Sequence, residues 1–517
     1  MDIAVSQLLL LACFLIPCLL LFAAAAVKSR RRSIGAAALP PGPPRLPIIG
    51  NILNVGKNPH HSLAELSKVY GPVMSLKLGT LTTVVVASPE AAKEVLQVHD
   101  QALSGRTFSD PVRAIGHHDV SVVWLPALAR WRLLRKISAA HLFSPSRLEA
   151  SKPIRTNKLR ELVNFLNGSR DRGEAVDIGR ASFVTAVNII SNTLFSIDFG
   201  SYDHTASNEF HDLVIGIMTA AGKPNVADYF PILRFLDLQG IRKEMKSCSD
   251  RLFEVFQGFI DARIAKRSSR NDPKDASNTD VLDSLLDIAL ENGWELSVKD
   301  IRHLLLDLFL AGTDTNSSTV EWAMAELLHR PDTMAKAQAE ITRVIGKNGV
   351  IQESDIPKLP YIQAVMKETL RLHPPAPFLL PRKAESDTEI FDFLVPKNAQ
   401  VLVNVWAIGR DLNVWDNPSE FEPERFLGRE IDMKGKDFEL TPFGAGRRIC
   451  PGMQLAFRTV PMMLVSLLHS FDWELQNGVV PEDLDMEEAF GVTLHKAKPL
   501  FAVPIKKRVV PISSPET

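Results

Sequence analysis

The 517-residue sequence predicts one large, mainly α-helical body with minor sheet, behind an N-terminal transmembrane helix. Three observations carry that expectation. Beyond residue 51 most of the chain alternates apolar and polar residues at a helical period, with proline or glycine at the breaks. Val73–Leu78 and Thr82–Ala87 read as a hairpin of short strands, the second rich in β-branched residues. Leu8–Val27 holds no charged residue and is long enough to cross a bilayer as a helix.

The N-terminal elements follow in order. Lys28, Arg30, Arg31 and Arg32 directly follow the apolar run, whereas its leader carries only Asp2, so the basic cluster is expected in the cytosol. The competing reading is a cleaved signal peptide, for which Ala23–Ala26 offers small residues. Its apolar core is longer than such a peptide needs and lacks positive charge before it. Pro40–Pro44 then favours a stiff extended strut between anchor and body, against a disordered linker as the plainer alternative. The expected organisation is an anchor over 1–27, a basic, proline-rich linker over 28–51 and a catalytic domain over 52–517. Asp272–Thr279 reads as a surface loop and Lys506–Thr517 as a frayed tail.

Net charge is −1 and 45% of residues are hydrophobic, which argues against a nucleic-acid partner held by bulk electrostatics. Of the four cysteines, Cys13 and Cys18 lie in the apolar run and Cys248 and Cys450 stand far apart. No disulfide framework is visible, and the body suits a reducing compartment.

Four motifs carry chemistry. Phe443-Gly-Ala-Gly-Arg-Arg-Ile-Cys-Pro-Gly452 places Cys450 in a loop that Gly444, Gly446 and Gly452 loosen, ahead of a helix expected over Met453–Leu468. Pro451 fits the first turn of that helix, and its positive dipole end favours a thiolate. Arg448 is placed to hold an anionic group; a buried core cysteine in a turn is the plain alternative. A long helix is expected over Ser297–His329, with Ser297–Asp300 as its capping start and Pro331 at its end. At its centre Ala311-Gly312-Thr313-Asp314-Thr315 is a poor helix former, since glycine alone costs roughly 1 kcal/mol relative to alanine. That suits either a close ligand approach or a tolerated irregularity. Glu368 and Arg371 are spaced to pair on one helical face, and Pro423-Glu-Arg425-Phe precedes the cysteine loop. Trp131 and Arg135 share a helical face, Arg132 and Lys136 the neighbouring one, which reads equally as a solvated basic face. A dinucleotide-binding glycine motif after a strand is absent.

In that order these motifs resemble the cytochrome P-450 family, the haem-thiolate monooxygenases, over nearly the whole chain. The resemblance implies haem b (iron protoporphyrin IX) with Cys450 as its metal ligand. Phe443, Gly444, Gly452 and Ala311 would contact the macrocycle. Trp131, Arg135 and Arg448, joined by Arg106 and Arg382, would meet its propionates. Asp314 would take part in proton relay while Thr315 hydrogen-bonds bound dioxygen. Glu368, Arg371 and Arg425 would form a desolvated architectural triad. Electrons would come from NADPH through a membrane-bound flavoprotein reductase, docked on a patch of Arg132, Lys136 and Arg447. The catalytic domain would face the cytosol from a single-pass anchor in the endoplasmic reticulum membrane.

The same resemblance places Gly116–Trp124, Leu306–Leu310, Ala376–Leu380 and Phe490–Thr493 above the haem, where their apolar content suits a small apolar substrate. Met486–Leu494 looks like the plant branch of geraniol hydroxylases and diterpene oxidases. The alanine-rich N-terminus looks like grass members acting on labdane-related diterpenes. A terpenoid is therefore expected, labdane-related diterpenes ahead of monoterpenols, with phenolic or alkaloid oxidation open. Two readings of another class stand beside it: a haem-thiolate isomerase or dehydratase, and a non-catalytic membrane haem protein.

Overall fold

The computed structural model describes residues 38–202, 209–268, 280–291 and 296–507. The expected anchor, the whole of the expected loop at 272–279 and the tail from residue 508 lie outside the described residues. Among the described residues no helix is long and apolar enough to cross a membrane.

The proline run packs against the first strand. The Ser75 N–H donates to Pro41 O at 2.7 Å and its hydroxyl to Pro40 O at 2.6 Å. Gly42 is required there, because an added Cβ would stand 1.9 Å from Ser75 O. The hairpin forms over β1 (Val73–Leu78) and β2 (Leu81–Val86), one residue earlier than expected at its second strand. With β3 (Gly105–Arg106), β4 (Arg382–Lys383) and β5 (Gln400–Val403) it makes a sheet in the order β1-β2-β5-β4-β3. Only the β2–β5 pairing is parallel in that sheet.

Five helices position the site: α1 (Ala129–His141), α2 (Ile178–Phe195), α3 (Val298–His329), α4 (Pro360–Leu372) and α5 (Met453–Ser470). The capping box on α3 is present: the Ser297 side chain accepts from the Asp300 N–H, and Asp300 reaches back to the Ser297 N–H. α2 runs against α3 with Gly312 at the contact, where an added Cβ would lie 2.7 Å from Ile190 Cδ1. The N-terminal half of α3 buries Leu304, Leu305, Leu306 and Phe309 against Phe183, Phe195 and Phe256. Its C-terminal half buries Trp322 and Met324 with residues of α4 and α5 such as Val365 and Leu464. Each such side chain contributes about 1.5–3 kcal/mol. α3 thus lies between two cores, and its central polar turns are fixed from both ends.

Candidate active site

Gly444 and Gly446 have φ of +68° and +66°, so the loop before Cys450 needs glycine at both places. At Gly446 an added Cβ would also approach Leu96 O to 2.1 Å. The Cys450 N–H donates to Phe443 O at 3.0 Å and closes the loop. Two expectations are corrected. Pro451 precedes α5 in a turn, and Gly452 is its N-cap with φ −83°, a conformation open to any residue. Nor does space require glycine there: a Cβ would stand 3.9 Å from the Cys450 sulfur, an ordinary contact. Burial pushes the Cys450 thiol up, against the Gly452 and Met453 N–H groups and Arg135, which favour the thiolate. The expected helix-terminus donors are present, yet burial outweighs them in the protein alone.

Cys450 opens into a cavity of about 690 Å³. Arg106, Trp131, Arg135, Arg382, Arg448, Phe443, Gly444, Gly452, Ala311 and Thr315 all line it, as expected, whereas Asp314 does not. The Trp131 indole N–H donates to Val122 O at 3.0 Å, and the Arg448 guanidinium lies 4.7 Å over its ring. Arg135 donates to Ile449 O, Arg106 to Leu380 O and Arg382 to Leu103 O. Burial drives the pKa of all four arginines down. Mutual repulsion adds at Arg106 and Arg448, while the Cys450 thiolate and Asp100 oppose at Arg135 and Arg382 respectively; Arg382 and Arg448 fall to about 10. Arg106 Nε and Arg448 Nη1 are buried without a hydrogen-bond partner.

On α3, Thr315 faces the cavity and its hydroxyl donates to Ala311 O at 2.8 Å. Asp314, 1% exposed, points the other way, toward His495 Nε2 at 3.3 Å. Burial opposes charge on His495, but the Asp314 and Glu321 carboxylates outweigh it and raise its pKa. No local pattern in the chain marks this partner.

The expected triad is present. Glu368 accepts from Arg371 at 2.6 and 2.7 Å and from Arg425 at 2.9 Å, all three side chains being buried. Arg132 and Lys136 are exposed on α1. Arg447 is tied to Asp100 at 2.9 Å by its side chain and at 3.1 Å by its N–H, so it braces the cysteine loop.

Two further clusters escaped sequence reading. Asp307 on the cavity wall accepts from Ser121, the Val122 N–H and His117, which meets His303 through its other ring nitrogen. Glu488 gathers His60, His61, His373 and Trp406, fastening the C-terminal loop to the N-terminal part of the body.

A cavity with one buried thiol and four cations belongs to a protein that holds a large anionic, thiol-ligated group. The cytochrome P-450 family model matches residues 40–503, and the chain belongs to that family of haem-thiolate monooxygenases. Cytochrome P-450 76C1 of Arabidopsis thaliana is 64% identical over 511 residues, covering 98% of this chain and 99% of its own. Cytochrome P-450 monooxygenase 76AD131 of Lophophora williamsii is 54% identical, covering 91% and 93%. Geraniol 8-hydroxylase of Catharanthus roseus is 52% identical over 466 residues, covering 90% and 94%. Within the family, the chain falls in the plant branch that resembles the geraniol hydroxylases. The family binds haem and draws electrons from NADPH through a reductase, with dioxygen and a small substrate as the other reactants. The residues fit haem: its two carboxylates match the unpartnered arginine donors, and its iron would carry the charge of a sulfur that burial disfavours as a free thiolate.

Proposed function

We propose that this protein hydroxylates a terpenoid, with Cys450 as the haem ligand and Arg106, Trp131, Arg135, Arg382 and Arg448 as the propionate site. The supporting observation is the convergence of the Cys450 thiol and four guanidinium groups, two buried and two half-buried, on one cavity with otherwise largely apolar walls. Haem, when bound through a thiolate, supplies dioxygen activation with favoured O–O cleavage. The chain's own residues do the rest. Val122, Ile190, Leu194, Leu308, Leu379 and Val492 exclude water and bind the apolar ligand. Thr315 presents a hydroxyl at the cavity that exchanges its bond to Ala311 O for one to a bound reactant. Asp314 stands behind it in contact with half-buried His495, a pair able to pass protons by general acid–base exchange.

Geraniol-type alcohols and labdane-related diterpenes are both candidate substrates; the name of the Catharanthus relative supports the alcohols. Membrane association at the endoplasmic reticulum, with an anchor over 1–27, a linker over 28–51 and a catalytic domain over 52–517, belongs to the same reading. It is supported by exposed Ile48 and Leu53 beside the linker and by exposed Ile232 and Phe235. The hairpin turn joins these segments, since Gly79 N–H donates to Ile49 O and Thr80 N–H to Tyr229 O. Exposed Arg132 and Lys136 suit an acidic reductase surface.

The test is turnover of the reductase-coupled protein with geraniol and a labdane olefin, products identified by mass spectrometry. Hydroxylation of either supports the terpenoid reading. Failure with both, in protein that retains thiolate-ligated haem, overturns it.

A further inference from the structure

We propose that Asp307 is a hydroxyl-binding subsite, and that the substrate is an apolar molecule carrying one alcohol group. This rests on the terpenoid reading only for the identity of the carbon skeleton. The subsite itself stands on the geometry of the cavity wall.

Asp307 is 5% exposed and lines the cavity with Val122, Val123 and Leu308. Three donors reach it, all from the loop that carries His117, Ser121 and Val122. His117 Nε2 donates to Oδ1 at 2.9 Å, the Val122 N–H to Oδ2 at 2.9 Å, and the Ser121 hydroxyl lies 2.7 and 2.8 Å from the two oxygens. A carboxylate offers about four acceptor positions. One position is left, on a residue that lines the cavity. An ionised carboxylate only accepts, so its ligand must donate an O–H or N–H. Largely apolar walls disfavour a cationic ammonium, which loses its hydration on entry, and leave a neutral hydroxyl.

The donors also orient the acid. The carboxylate of Asp307 accepts a hydrogen bond from His117 Nε2, and a single hydrogen lies between His117 Nδ1 and His303 Nδ1, 2.8 Å apart. Because the loop and α3 meet at this carboxylate, its position is set before the ligand arrives. A ligand held by its hydroxyl one helical turn ahead of Ala311 presents its other end to the rest of the cavity. Oxidation is then directed away from the alcohol.

The test is isothermal titration calorimetry of the haem-loaded full chain with two matched pairs: geraniol and geranyl methyl ether, 1-decanol and its methyl ether. Wild-type protein is expected to bind each alcohol about tenfold more tightly than its ether, the range of a hydrogen bond to a charged acceptor. Asp307→Asn, which keeps the shape but not the charge, should shrink that ratio about fivefold. It should also turn a single hydroxylated product into a mixture of positional isomers. Equal affinity of alcohol and ether in the wild type overturns the proposal without any variant, as does an unchanged ratio in Asp307→Asn with full haem content. If the decanol pair shows the preference and neither geranyl ligand binds, the geraniol-type alcohols fall as substrates and the subsite stands. Silence from all four ligands overturns the subsite and the geraniol-type substrates together.

Discussion

Arg371→Ala measures how far the haem side of this fold depends on one buried ion. The guanidinium makes five hydrogen bonds: two to Glu368, and one each to the carbonyls of Gly409, Pro418 and Glu420. Glu368 and Arg371 side chains have no exposure, so no water replaces what is lost. Removing the arginine leaves Glu368 with Arg425 and the Glu422 N–H, takes this donor from the Gly409 and Pro418 carbonyls, and leaves Glu420 O only the long bond from Arg425 at 3.4 Å. A broken buried ion pair costs about 3–5 kcal/mol, and an orphaned buried polar group about 1–3 kcal/mol. These terms overlap, which places the expected loss near the top of the first range, about 5 kcal/mol. That is a third or more of the stability of a typical domain, about 5–15 kcal/mol. Arg371→Lys keeps the charge but cannot reproduce the planar fork, so it should recover less than half of the loss. The assay is the thermal midpoint together with the haem-to-protein ratio, and a fall of about 5 °C or more with depleted haem is expected. A variant that keeps full haem and melts with the wild type would refute the view that this triad holds the core.

Three further outcomes are expected. Cys450→Ser should abolish the thiolate-type spectrum of the ferrous carbonyl complex; an unchanged spectrum would remove Cys450 as the haem ligand. His495→Phe should lower product formed per NADPH consumed by about tenfold to a hundredfold, with substrate affinity retained, because proton supply is a general acid–base function. Equal coupling in variant and wild type would leave His495 a structural neighbour of Asp314. Burial raises the Glu321 pKa from 4.5 to about 7, opposed by the Leu500 N–H. The folded state therefore holds that proton, and the stability it gives is complete below pH 4.5 and lost as pH rises through 7. Glu321→Gln should remove a pH-dependent loss of about 3 kcal/mol from that window, read as thermal midpoint against pH; an identical profile would sink the assignment.

The architecture was legible where the chain writes its interactions locally. The cysteine loop, the capping start of α3 and the Glu368–Arg371 pair all depend on residues within a few positions of one another. The misjudged details were equally local but depended on exact geometry: β2 starts one residue early, Pro451 stands outside α5, and Gly452 adopts a conformation open to any residue. The long-range pairings left no trace. Ser121 meets Asp307 across 186 positions and His60 meets Glu488 across 428, each through residue types too common to mark a partner.

Helical geometry explains why Asp314 and Thr315 do not share a surface. At 3.6 residues per turn, neighbouring side chains diverge by about 100°, whereas residues four apart stay nearly in line. Asp307, Ala311 and Thr315 therefore form one stripe along α3, and all three line the cavity. Asp314 is turned off that stripe toward His495. The adjacency that makes the acid–alcohol pair conspicuous in the sequence thus separates its members in space. In the proposed reading the alcohol works on the cavity side, in line with the carboxylate proposed to hold the ligand, and the acid works behind it, beside His495. An exchange of the two residues would keep the composition of the motif and invert both functions, placing a carboxylate against the ligand and leaving His495 without its counter-charge.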